Sequence, residues 1–172
     1  MSTAHTQQTV AVFDPTVLAA DAEQILLETD EEMIQATADG YVYYPYRVFG
    51  FHLRAKALID EFEERVYCGI DLCNDKEMFI DQQPTLTERT VTEDALVPPA
   101  PEIEDPKQTA RHYILELARK ELRVGSPPEL TVIEDQRVYR PFHLVECQTA
   151  SGTFLTYIVD GVRGDFHRVY ID

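Results

Sequence analysis

The stretch "VYYPYRVFGF", residues 42–51, returns as "VYRPFHLVEC", residues 138–147. Val42, Tyr43, Pro45, Tyr46 and Val48 match Val138, Tyr139, Pro141, Phe142 and Leu144. Aromatic and β-branched residues of this density read as a strand in both places. Val42, Tyr46 and Val48 share one parity, the expected core face, and Pro45 has the other. Proline cannot donate to a ladder, so each phrase is expected at a sheet edge or at a bend.

Working outward, the neighbours of the two phrases also match. "FDPTVLAADAEQILLETDEEMIQA" places Asp14 as N-cap and Pro15 at the first helical position; "EDPKQTARHYILELARKELRVG" does the same with Asp105 and Pro106. Leu18, Ala22, Ile25 and Leu26 make one apolar stripe; Ile114, Leu115, Ala118 and Leu122 make the other, closed by Gly125. Thr29 or Asp30 is expected to cap a second short helix through Met33 and Ile34, stopped by Gly40. "RAKALIDEFEER", residues 54–65, fits a long hairpin arm or a helical excursion. "VYCGIDLCNDKEMFID" and "TFLTYIVDGVRGDFHRVYID" each read as two strands around a turn, with Ile70 and Asp71 matching Val159 and Asp160, and Asp75 matching Asp165. "SPPELTVIEDQ", residues 126–136, reads as a turn with a short strand.

These matches predict an α+β protein of two α-β-β-β repeats. Each repeat is a helix packed on a small antiparallel sheet, and the two form a pseudo-twofold pair that buries what one unit leaves uncovered. The expected organisation is a flexible N-terminus at 1–13, a first repeat at 14–81, a linker at 82–104 rich in proline (Pro84, Pro98, Pro99, Pro101), and a second repeat at 105–172.

The closing hairpin "TYIVDGVRGDFHRV" resembles the end of a PepSY-type repeat, where a strand ends in an aspartate, turns near a glycine and returns. "VYCGIDLCNDKEMFI" is similar, with Asn74-Asp75 in place of the glycine turn. The resemblance implies a non-catalytic binding module. Such modules are mostly known outside the cytoplasm or beside membranes.

Composition sets the environment. The chain has 31 acidic and 15 basic residues, a net charge of -16, and 44% hydrophobic residues, enough for a core. A field of that sign repels nucleic acid and anionic membrane surfaces. Lysine occurs only at Lys56, Lys76, Lys107 and Lys120; the other basic residues are arginines. Abundant carboxylates with scarce lysine fit a salt-in halophilic cell, where the Debye length is about 3 Å at 1 M salt. The competing reading is a functional acidic surface, such as a nucleic-acid decoy or a dock for a basic partner; the acids are spread along the chain, which favours habitat. "MSTAHTQQTV" shows neither a basic nor an apolar signal region, and no apolar run has the roughly 18 residues of a span, so the expected location is the cytoplasm without membrane insertion.

Catalytic chemistry finds no foothold. Cys68, Cys73 and Cys147 are too few for a disulfide framework, and four soft zinc ligands do not assemble around Cys68, Cys73 and His52. His143 and Cys147, with Asp160 as orienter, suggest a thiol nucleophile, but i and i+4 on a strand lie about 13 Å apart. No cofactor is expected. The unusual feature is the aromatic run: Tyr41, Tyr43, Tyr44 and the adjacent Arg47 are the expected partner-binding residues, since tyrosine offers area with a polar tip and arginine suits carboxylates. The sequence thus reads as a non-catalytic interaction or assembly module, binding a protein partner or itself through an aromatic sheet surface. The alternative is a small-molecule-binding or hydrolytic enzyme with a pocket between the repeats.

The charge reading has a direct test. The thermal unfolding midpoint is expected to rise steadily between about 0.1 and about 3 M potassium chloride; a midpoint indifferent to salt would remove halophilic adaptation as its explanation.

Overall fold

The computed structural model describes residues 6–56, 60–122 and 126–170. In chain order these form β1 (Gln7–Phe13), α1 (Ala19–Thr29), β2 (Met33–Lys56), β3 (Glu61–Asp71), β4 (Glu77–Ile80), β5 (Leu86–Thr92), α2 (Pro106–Leu122), β6 (Glu129–Thr149), β7 (Phe154–Asp160) and β8 (Phe166–Val169). The strands make one eight-stranded mixed sheet in the order β4-β3-β2-β6-β1-β5, with β7 on β6 and β8 on β7. No helix among the described residues is long and apolar enough to cross a membrane.

This overturns the expected pair of helix-on-small-sheet repeats; only the broad α+β label is compatible. The physical reason is strand length. β2 has 24 residues and β6 has 21, too long for one small meander, and each supplies both of the chain's compact units. The first unit gathers Met1–Tyr44, Leu86–Val97 and Tyr139–Asp172; the second gathers Pro45–Thr85 and Pro98–Val138. Each helix therefore sits with the hairpin of the opposite half of the sequence, α1 with β7–β8 and α2 with β3–β4.

In the first unit, Ala22 and Leu26 of α1 pack on Val145 and Cys147 of β6 and Val159 of β7, with Met33 and Ala36 of β2. The helix begins at Ala19, later than Asp14-Pro15 suggested. Thr16 and Val17 donate their backbone N–H groups to the Gly161 carbonyl at 2.8 and 2.9 Å, which holds this stretch on the β7–β8 turn, outside the helix. Leu18 becomes the N-cap, and the Asp21 carboxylate accepts its N–H at 3.0 Å. Asp14 instead accepts a hydrogen bond from the Thr87 hydroxyl.

Three stretches expected to be loose or helical are strands. Gln7–Phe13 is β1, antiparallel to β5 along its whole length, so a strand occupies part of the presumed linker. Val10, Val12, Val91, Tyr43 and Tyr139 form the core beneath them. Residues 33–36, expected in a short helix, open β2 after a turn in which Asp30 accepts the Glu32 and Met33 N–H groups.

In the second unit α2 starts as the sequence suggested, with Asp105 accepting the Gln108 N–H at 3.2 Å. Arg119 and Lys120 in its last turn complement the helix dipole. Gly125 and the side chain of Leu122 lie outside the described residues. Ala110, Ile114 and Ala118 pack on Phe49, Phe51 and Leu53 of β2 and Cys68 and Ile70 of β3. Burial of each such large side chain contributes about 1.5–3 kcal/mol. Residues 54–56 and 61–65 take the hairpin-arm alternative, with Lys56 opposite Glu61, and residues 57–59 of that stretch lie outside the described residues. On the other face Gly50 makes room for the Tyr67 ring, which would stand 2.8 Å from any Cβ placed there.

The prolines lie neither at an edge nor on the surface. Pro45 and Pro141 are fully buried in interior strands. Their missing N–H is tolerated because each sits one residue before a ladder starts: β2 meets β3 at Tyr46↔Asp71, and β6 meets β7 at Phe142↔Asp160. Their carbonyls are satisfied by Leu72 N–H at 3.0 Å and Gly161 N–H at 2.8 Å.

The two hairpin turns are built alike. Asp71 and Asp160 close them through backbone bonds to Lys76 and Asp165, and their carboxylates accept the Cys73 and Val162 N–H groups. The left-handed position falls at Asp75 (φ 54°) in one and Gly164 (φ 84°) in the other, so Asp75 corresponds to Gly164 and not to Asp165.

Asp160 also holds the guanidinium of Arg140, both 5% exposed, in a two-pronged ion pair with Nε–Oδ1 at 3.1 Å. Asp160→Asn removes the carboxylate charge that this buried guanidinium pairs with, and is expected to cost about 3–5 kcal/mol in urea unfolding. Adding Arg140→Leu should recover much of that loss. An unchanged urea midpoint in Asp160→Asn would show that the pair is hydrated in solution.

Candidate functional site

Tyr43 is 5% exposed in the core of the first unit, and its carbonyl accepts the Val97 N–H at 2.9 Å. Tyr41, half-buried, lies 4.5 Å from the His143 ring and 5.8 Å from Tyr43, with the Arg89 guanidinium 5.5 Å above it. Tyr44 meets Phe142 edge-on at 4.8 Å. Arg47 belongs to the second unit, where its Nε donates to Asp135; Lys107 adds a second cation 3.8 Å from that carboxylate. The bond from Arg47 holds the Asp135 carboxyl below its ordinary range. Tyr43 is thus a core residue, while Tyr41, Tyr44 and Arg47 are half-buried with the ring contacts and ion pairing described.

Of the cysteine and histidine candidates, Cys68, Cys147 and His143 are enclosed. Burial, with the nearby Glu77 charge, pushes the Cys68 thiol up to about 12. Burial also raises Cys147. His143 is 2% exposed, and its Nε2 lies 2.6 Å from the Val17 carbonyl. His52, partly exposed on the face of β2 away from α2, lies 3.9 Å from Glu63. Among the described residues no three His, Cys, Asp or Glu side chains gather as a metal site would require.

What the sequence reading missed is a groove of about 560 Å³ within the second unit. Its helical wall is Tyr113, Ile114, Leu117, Ala118 and Glu121 of α2; its sheet wall is Leu53 of β2, Glu64 and Val66 of β3, and Phe79 of β4. Strand parity explains the lining. Leu53 stands opposite Glu64, and Cys68 opposite Phe79, so all four face α2. Arg54 stands opposite Glu63 on the reverse face, where it pairs with Glu61 at 2.8 Å and Glu63 at 3.4 Å. Phe79 remains 45% exposed at the mouth. The available signal was Tyr113 and Leu117, each one residue before a core position of α2 and outside the stripe read from the sequence. A smaller cavity of about 310 Å³, lined by Arg54, Lys56, Glu61 and Glu129 among others, is polar and has its arginine already paired.

Thiol reactivity checks this burial. Cys73, half-buried beside the β3–β4 turn and raised by burial and by Asp71, is expected to react slowly with Ellman's reagent at about pH 8. Cys68 and Cys147 should react only after denaturation. Rapid labelling of more than one thiol in the folded protein would contradict the packing. Compared with protein-family models, curated proteins and solved structures, the chain matches none.

Proposed function

We propose that this chain is a non-catalytic interaction module, and that the groove between α2 and the β3–β4 hairpin receives an apolar segment of a partner protein. The observation that carries this reading is the lining. Leu53, Val66, Phe79 and Leu117 present a concave apolar surface whose floor, Ile114 and Ala118, is already fixed by core packing. Pre-formed surface of this kind binds without the entropic cost of ordering itself. Phe79 at the mouth is a large, partly exposed aromatic, the residue type that anchors interfaces. The interaction surface thereby moves from the tyrosine run to the second unit. A groove of about 560 Å³ also falls in the range of small-molecule sites, roughly 300–1,000 Å³, so a free amphiphile is the second reading.

Two measurements test it. The neutral apolar dye N-phenyl-1-naphthylamine should brighten on binding, and Leu117→Glu should weaken it at least about ten-fold, about 1.4 kcal/mol, with circular dichroism unchanged. A photo-crosslinking benzophenone side chain placed at Leu117, in cells that make the protein, should yield a discrete adduct absent when it is placed at Glu116 on the outer face of α2. No dye binding, or the same adducts from both positions, would overturn the proposal.

A further inference from the structure

Resting on that reading of the groove, we infer that its occupant is a basic amphipathic segment of a partner protein, with lysine or arginine flanking its apolar residues and meeting Glu64 and Glu121. Neither carboxylate has a hydrogen bond or ion pair among the described residues, although the neighbouring Glu61 and Glu63 are both engaged by Arg54 on the reverse face. Among the described residues no basic side chain lines the groove.

An apolar segment lying between these walls strips water from both carboxylates. That costs free energy unless the ligand returns a positive charge. A neutral segment therefore binds more weakly, and an acidic one is rejected by like charge. The chain's net charge of -16 acts in the same direction at longer range, drawing a cationic partner in and opposing docking of a second copy. The charge on the groove thus selects its partner, and the apolar lining holds it.

The experiment compares three capped leucine-rich peptides that differ only in flanking lysines, glutamines or glutamates. Each displaces N-phenyl-1-naphthylamine from the protein, in potassium chloride at a concentration where circular dichroism shows it folded. The lysine peptide is expected to bind about three- to ten-fold more tightly than the glutamine peptide, and the glutamate peptide more weakly than either. In Glu64→Gln/Glu121→Gln the lysine advantage should vanish while the glutamine peptide keeps its affinity. In Glu64→Lys/Glu121→Lys the preference should reverse towards glutamate. Equal affinities in the wild-type chain would overturn the charge inference and leave the groove reading standing. Failure of the dye itself to bind would remove the groove reading. Displacement by dodecylammonium but by no peptide would assign the site to a free amphiphile and overturn the protein partner. A concentration-dependent dimer abolished by Leu117→Glu would assign it to a second copy and overturn the basic one.

Discussion

An interior strand needs an amide hydrogen at every ladder position, and proline has none. Pro45 and Pro141 sit within β2 and β6 all the same, and the rest of the structure is arranged around that constraint. Each ladder to β3 or β7 begins at the next residue, and each proline carbonyl is claimed by the residue that follows a turn aspartate. The prolines therefore fix where one neighbour strand takes over along β2 and β6. With those positions set, parity decides which side chains face α1 or α2 and which face away.

The sequence made the strand phrases, the α2 start and the aspartate turns legible because each rests on local chemistry: β-branched and aromatic runs, a Pro after an N-cap, and a carboxylate two residues before an amide. It hid what depends on distant partners. The Asp14-Pro15 signal is as strong as Asp105-Pro106, yet backbone bonds to Gly161 draw that segment off and the helix starts at Ala19. The polar stretch Gln7–Phe13 and the threonine-rich stretch Leu86–Thr92 are unremarkable alone and become strands only against each other. The tyrosine run looked like a surface because tyrosine is common at interfaces, but Tyr43 fills a core that β1 and β5 complete. The groove was invisible for a related reason: its walls come from four elements, and no single one of them is unusual.

The two helices differ in how much of their length the core takes up. α1, with 11 residues, spends its buried positions Ala22 and Leu26 on the core of the first unit. α2, with 17, has turns to spare: Ala110, Ile114 and Ala118 close the core while Tyr113, Leu117 and Glu121 stay open to solvent at the groove.

The placement of each helix with the opposite half's hairpin sets an order on the folding of the chain. Segments of the second unit lie nested in sequence between segments of the first, and Pro45–Thr85 with Pro98–Val138 emerge from a ribosome before β7 does. Beyond Met33 and Ala36, the core that Leu26 of α1 enters is missing until Val145, Cys147 and Val159 have been made. The core around the earliest helix is thus completed only when the last strands have been made. Contacts of such sequence separation are closed slowly, and a nascent chain whose core is still incomplete is a natural client for chaperones.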